Sequence, residues 1–236
     1  MVAVEVRDLL GRCVPNDHSR QVVPEYFADY VLSHNPNVHT VVDLGSGTGG
    51  SVDYFRKKNP RIQWIGVDIT WSPEVSSRTR KDAQFITYDG TRVPLRDNSV
   101  DLIYCVQALQ CAAHPREVLK EVHRTLKPGG YFVGATAQLE PLTVFSYWNY
   151  TVYGFFKIVS DAGLELVEIR PSIDSLTLIV RRGLRRPAFF KVFWTHESPL
   201  NFLIGVLGRL LRKNHAWINS FKLLFCGQFC FLVRKP

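Results

Sequence analysis

With 236 residues, 46% of them hydrophobic and 21% charged, the chain is long and apolar enough for one globular domain with a sizeable core, which excludes a disordered polypeptide. Five cysteines (Cys13, Cys105, Cys111, Cys226 and Cys230), odd in number and never spaced C-x-x-C, suggest neither a disulfide framework nor a zinc site. The start MVAVEVRDLLGRC lacks the basic lead and apolar run of a secretory signal, so a reducing, cytoplasmic setting is expected. The net charge of +8 is uneven: residues 181–236 hold 11 Lys and Arg against Glu197 alone, whereas residues 1–180 are close to balanced.

In chain order, residues 1–37 read as an N-terminal helical cap, with RQVVPEYFADYVLSH (20–34) carrying apolar positions at helical spacing. HTVVDL is a β-branched run that stops at glycines, a buried strand entering a turn, and a helix follows from about Gly50 to Lys58. IQWIGVDI, AQFITYD and VDLIYCV read as strands two, three and four. PREVLKEVHRTLKPGG predicts a helix with Val118, Leu119, Val122 and Leu126 on one face, stopped by Pro128 and Gly129, and YFVGATA a fifth strand. YTVYGFFKIVSDAGLELVEIRP reads as helix, Gly163 stop and sixth strand, and QFCFLVRKP as the last strand in 223–236. Strands alternating with helices at these lengths predict a single doubly wound, mostly parallel α/β sheet with helices on both faces. Residues 181–222 interrupt that alternation before the last strand; their run Leu200 to Leu211 is too short to span a bilayer and reads as an apolar helix with a basic end.

Function turns on TVVDLGSGTGGSV (40–52), which fits two fingerprints. Gly45, Gly47 and Gly50 make the dinucleotide pattern G-x-G-x-x-G, whereas Asp43, Gly45, Gly47 and Gly49 make D-x-G-x-G-x-G. A glycine turn at a strand's carboxyl end brings backbone close to a ligand. Asp43 separates the readings: its carboxylate would repel a pyrophosphate but hold an ammonium. Asp68, 23 residues after Gly45 at the end of strand two, suits the ribose hydroxyls of either ligand.

FITYDGTRVPLRDNSVDLIYC adds a third landmark, Asp89 and Gly90 at the end of strand three, ahead of Asp101 in strand four. With it the chain resembles the class I S-adenosylmethionine-dependent methyltransferases over about residues 38–180, the expected cofactor-binding core. EVHRTLKPGGYFV resembles that family's helix, turn and strand five, and the pattern is most similar to the subgroup acting on small molecules. The resemblance implies a seven-stranded Rossmann-like methyltransferase sheet and S-adenosyl-L-methionine as cofactor, with S-adenosyl-L-homocysteine as product. It also implies that Asp43, Gly45, Ser46, Gly47 and Gly49 lie along the methionine part, Asp68 binds ribose, and Asp89 and Gly90 meet the adenine amino group. Ile69 either packs on the adenine face or is core.

Methyl transfer from an activated donor needs alignment and water exclusion, and a hydroxyl acceptor also needs a base. After strand four, CVQALQCAAHPRE offers Gln107, assigned to the cofactor, then Gln110, Cys111 and His114; His18 and His196 lie in the two added segments. No metal cluster is expected. The leading expectation is O-methylation of a natural product, sugar or lipid-linked intermediate, with an amphipathic or phosphate-bearing acceptor that suits the basic insertion. An RNA or tRNA methyltransferase using the basic C-terminal block is the alternative, and a degenerate binding fold a third. Peripheral membrane contact and a homodimer through Leu200 to Leu211 stay open.

Overall fold

A computed structural model describes residues 6–141 and 145–236; the first five residues of the expected N-terminal cap lie outside the described residues. Seven strands, β1 (Thr40–Leu44), β2 (Gln63–Ile69), β3 (Gln84–Tyr88), β4 (Val100–Val106), β5 (Leu126–Ala137), β6 (Glu165–Pro171) and β7 (Gln228–Arg234), form one sheet in the order β3-β2-β1-β4-β5-β7-β6. The first five run parallel, in registers such as Val42 opposite both Ile65 and Ile103. β7 enters antiparallel between β5 and β6, so β6 points the same way as β5. The chain steps outward from β1 through β2 to β3 and then crosses back to β4 on the other side of β1, and this reversal opens a crevice at the carboxyl ends of β1 and β4.

Alternating strand residues feed two cores, as the pleat requires. Val42, Leu44, Ile65, Ile103 and Phe132 pack on one face with α5 (Pro115–Thr125) and α6 (Val152–Asp161). Val41, Trp64, Leu102, Tyr104 and Val133 pack on the other with α2 (Pro24–His34) and α3 (Ser51–Lys58). The helix expected to include Leu126 and to stop at Pro128 and Gly129 ends at Thr125, and strand five begins earlier than expected, at Leu126 opposite Val100. Burial of Leu126 in the sheet outweighs its helical spacing, while Gly129 at φ +78° turns the chain within the extended run.

Short helices α1 (Val6–Leu10) and α4 (Pro73–Ser76) precede α2 and follow β2. Beyond β6 the apolar run Leu200 to Leu211 forms α9 (Pro199–Leu210), and three further helices surround it in sequence, α7 (Ser175–Gly183), α8 (Val192–Thr195) and α10 (His215–Phe225). Asp174 caps α7 by accepting from the Thr177 amide at 2.7 Å, and Asn214 caps α10 through the Trp217 amide at 2.9 Å. Residues 15–21 are stapled to this layer by buried cations. Arg170 of β6, almost wholly buried, donates to both Asp17 oxygens at 2.8 Å and to Glu168, and lies over the Tyr26 ring. Lys222 of α10 reaches the Ser19 carbonyl at 2.6 Å and the Glu197 carboxylate at 2.9 Å. Such pairs are costly to break because the partner stays buried and charged.

Candidate cofactor and active site

The crevice is built from the turn that ends β1. Gly45 has φ +81°, and a Cβ there would lie 2.1 Å from the Ala108 Cβ, so only glycine fits. Its amide donates to the Val67 carbonyl at 2.8 Å, and the Ser46 amide to the same oxygen at 3.3 Å. Gly47 (φ +50°) donates its amide to Asp68 Oδ2 at 2.6 Å, while Asp68 Oδ1 accepts from the Ile69 amide. Asp68 therefore braces the loop and keeps lone pairs on both oxygens for a ligand. Gly49 (φ +81°) sits against the Phe85 ring, which a Cβ would approach to 2.6 Å.

At the floor, Asp43 is buried and accepts from Ser51 Oγ at 2.5 Å, which in turn accepts from Trp64 Nε1 at 2.9 Å. Burial pushes the Asp43 carboxyl up to about 7; the Ser51 hydroxyl opposes this and the nearby Asp68 charge adds to it. A pocket of about 290 Å³ opens above it, lined by Glu25, Gly45, Ser46, Tyr54 and Tyr104 among others. Ser46 Oγ and Gln107 Nε2 are buried polar atoms with no partner among the described residues. Gln107 stands at φ +57°, rare for a residue with a Cβ, its amide held by the Ala135 carbonyl at 2.9 Å.

Asp89 accepts three hydrogen bonds on Oδ1, from the Thr91 amide and hydroxyl and the Arg92 amide, which hold its carboxyl down at about 2. Asp89 is exposed, so its carboxylate stays open to a ligand. Gly90 (φ +87°) turns the chain beside it, and Ile69 is exposed rather than core. Loops after β4 and β5 are tied together at Gln110, whose carbonyl accepts from the Tyr147 and Trp148 amides and whose side chain joins Thr136 to Gln107. Burial raises the Cys111 thiol, keeping it protonated at neutral pH.

The ten residues predicted for the cofactor thus gather on the carboxyl ends of β1 to β4, whereas the three histidines disperse. His18 has both ring nitrogens engaged: Nδ1 accepts from Arg170 Nη1 at 3.2 Å and from the Arg20 amide, and Nε2 meets the Tyr26 hydroxyl at 3.1 Å. Burial and the Arg170 charge lower its pKa. His196 is exposed at the end of α8, bonded locally to Val192 and Thr195. His114 caps α5 through its backbone and leaves its ring free among the described residues. Arg78 had no sequence signal. It donates Nε–H to the Gly47 carbonyl at 2.7 Å, stacks 3.9 Å from the Phe85 ring centre, and leaves Nη2 buried without a partner among the described residues.

Residues 42–134, from the middle of β1 into β5, match the family described as "Methyltransferase domain". The chain is 33% identical over 101 residues to a malonyl-[acyl-carrier protein] O-methyltransferase of Marinomonas sp., covering 41% of this chain and 37% of that protein. It is 28% identical over 170 residues to malonyl-[acyl-carrier protein] O-methyltransferase 1 of Coxiella burnetii, covering 67% and 58%. The domain match and these relatives support a class I S-adenosylmethionine-dependent methyltransferase family. The likeness to these methyltransferases spans only about half the length of each relative. The methyltransferase fold is shared by phosphoethanolamine N-methyltransferase 2 of Haemonchus contortus, solved with S-adenosylhomocysteine: TM-score 0.56, 17% identity, covering 99% of this chain and 61% of that one. Among the described residues no group of three His, Cys, Asp or Glu is placed to hold a metal ion.

Proposed function

We propose that this chain transfers a methyl group from S-adenosyl-L-methionine to a hydroxyl oxygen of a small molecule. The observation that carries the reading is the buried, uncompensated hydrogen-bonding capacity of one crevice: the Asp43 carboxyl with the orphaned Ser46 Oγ and Gln107 Nε2. Buried polar atoms without partners cost about 1–3 kcal/mol each, so their persistence beside a pocket suits a ligand that completes them.

The residues fit that cofactor. Asp43 suits an ammonium, Ser46 and Gln107 a carboxylate and its neighbours, Gly45, Gly47 and Gly49 the close approach of the methionine part, and Asp68 the ribose hydroxyls. Asp89 Oδ2 and the Gly90 turn suit an adenine amino group, with Ile69 against its face. When bound, the sulfonium supplies an already activated methyl group, so the protein's task is alignment and exclusion of water. Gln110 does much of this by locking the loops after β4 and β5 into one wall. If the acceptor is a hydroxyl, His114 is the predicted histidine whose ring remains free to take its proton; His18 acts instead in the Arg170 network. The names of the O-methyltransferase relatives support an oxygen acceptor.

The test is incubation of the protein with methyl-labelled donor and extracts of small molecules, lipids and RNA. Label entering a ribonuclease-resistant, solvent-extractable product with an alkali-stable or ester-labile oxygen linkage supports the reading. Label confined to ribonuclease-sensitive material would refute it.

A further inference from the structure

β6 points the same way as β5, so its carboxyl end at Pro171 opens on the same edge of the sheet as Asp43 and Gln107. From there the chain enters α7, which packs against α9. Each helix has a committed inner side. Asn201 of α9 donates Nδ2–H to the Ser172 carbonyl at 2.7 Å, and Gly208 lies against Ile218 of α10, where a Cβ would come within 2.5 Å. Thr177 and Leu178 do the same for α7. The outer sides are unpartnered and apolar: Phe202, Leu203, Leu207 and Leu210 on α9, between 43% and 76% exposed, and Leu176, Ile179 and Val180 on α7. Positions i, i+1, i+5 and i+8 of α9 and i, i+3 and i+4 of α7 each make a stripe along one face.

Each stripe ends in cations. α7 closes on Arg181, Arg182, Arg185 and Arg186, the last two in the left-handed region at φ +57° and +61°; α9 closes on Arg209, Arg212 and Lys213. Glu197 is the one acidic residue in 175–213, and Lys222 neutralises it. The core of a protein–protein interface is depleted of charge, and RNA uses basic and aromatic groups but has little use for exposed Leu, Ile and Val. Aliphatic stripes flanked by Arg and Lys suit the boundary between acyl chains and anionic headgroups. Twelve residues make α9 about 18 Å long, short of the roughly 30 Å hydrocarbon core, so it would lie in the boundary rather than cross it. No helix among the described residues is long and apolar enough to cross a membrane.

The surface starts from the same edge of the sheet as the crevice. Glu140, just beyond β5, accepts from Gln228 Nε2 at 2.9 Å and feels the charges of Arg186 and Arg181. Beside it the loops after β2 and β5 raise exposed Trp71 and Phe145, edge to face at 5.9 Å, with Tyr147 and Trp148.

We propose that the outer faces of α7 and α9, with the arginines that end them, dock this protein on an anionic lipid bilayer, and that its methyl acceptor is drawn from that surface. The second half rests on the methyl-transfer reading; the docking does not. The test is co-sedimentation of the full chain with phosphatidylcholine vesicles and with vesicles that also contain phosphatidylglycerol, at low and high salt, alongside light scattering in solution. Binding to the anionic vesicles alone is expected. It should fall at least about tenfold in a Leu203→Ser, Leu207→Ser variant and in an Arg182→Glu, Arg185→Glu variant. Both variants should keep the parent's melting temperature and S-adenosylhomocysteine affinity. No sedimentation with anionic vesicles at low salt would overturn the docking, as would binding that neither variant weakens. A dimer that dissociates only in the leucine variant would assign the face to a second copy of the chain and equally overturn it. Vesicle binding by a protein that fails to bind S-adenosylhomocysteine would leave the docking intact and defeat only the methyl-transfer reading.

Discussion

Replacing Asp43 by Asn separates what the crevice costs the fold from what it gives the ligand. Burial carries the Asp43 carboxyl from its ordinary 3.8 to about 7. The folded protein therefore keeps a proton that the unfolded chain releases between about pH 4 and 7. Across that window this group's contribution to stability falls as pH rises, by up to ~1.4 kcal/mol per pH unit, and it is flat above the folded value. By pH 8 the ionised carboxylate costs the unliganded fold at most about 4 kcal/mol. Asn has no proton to lose and still accepts from Ser51 Oγ, so Asp43→Asn should melt higher than the parent at pH 8, by about 2–4 °C for each kcal/mol recovered, and close to it at pH 4.5. S-adenosylhomocysteine affinity should move the other way, falling about tenfold or more as the ammonium loses a charged acceptor. Calorimetric melting at the two pH values and a binding titration at pH 8 check this. A variant less stable than the parent at pH 8, or a stability gap equal at both pH values, would refute the reasoning.

Three further outcomes follow from the same geometry. Gly45→Ala puts a Cβ 2.1 Å from Ala108 at φ +81°, so urea melts should show a loss of at least about 2 kcal/mol, with donor binding lost. In the parent, S-adenosylhomocysteine binding should weaken about tenfold per pH unit as pH falls below 7, because Asp43 must first give up its proton; titrations in buffers of different ionisation enthalpy should show proton release near pH 6. His114→Gln should lower kcat by about a hundredfold on a hydroxyl acceptor, flatten the acid limb of the pH profile and leave donor affinity unchanged; an unaltered kcat would remove His114 as the base.

Much of the scaffold was legible because parallel strands buried on both faces write themselves as short β-branched runs, and HTVVDL, IQWIGVDI and VDLIYCV are such runs. The glycine loop was legible for a related reason, since positive φ at Gly45, Gly47 and Gly49 leaves few other residues to choose. Reading failed where long-range partners decide the outcome. Leu126 carries helical spacing yet enters β5 because Val100 pairs with it. His18 reads as a candidate base in an added segment, but Arg170, 152 residues away, takes its Nδ1. Arg78 sat unnoticed in a polar stretch because nothing local records that it stacks on Phe85 and holds the Gly47 carbonyl. The helix read from Leu200 to Leu211 falls on α9, but hydropathy alone does not mark the inner side that Asn201, Gly205 and Gly208 give it.

The account stands or falls on the ligand of the GSGTGG turn. Calorimetric titration of the full chain with S-adenosylhomocysteine, beside Asp68→Ala and Asp89→Ala and with a nicotinamide dinucleotide as comparison, tests it most directly. Binding of about micromolar strength that both substitutions weaken at least tenfold, with none to the dinucleotide, is the predicted result. Dinucleotide binding, or S-adenosylhomocysteine binding indifferent to Asp68 and Asp89, would contradict it.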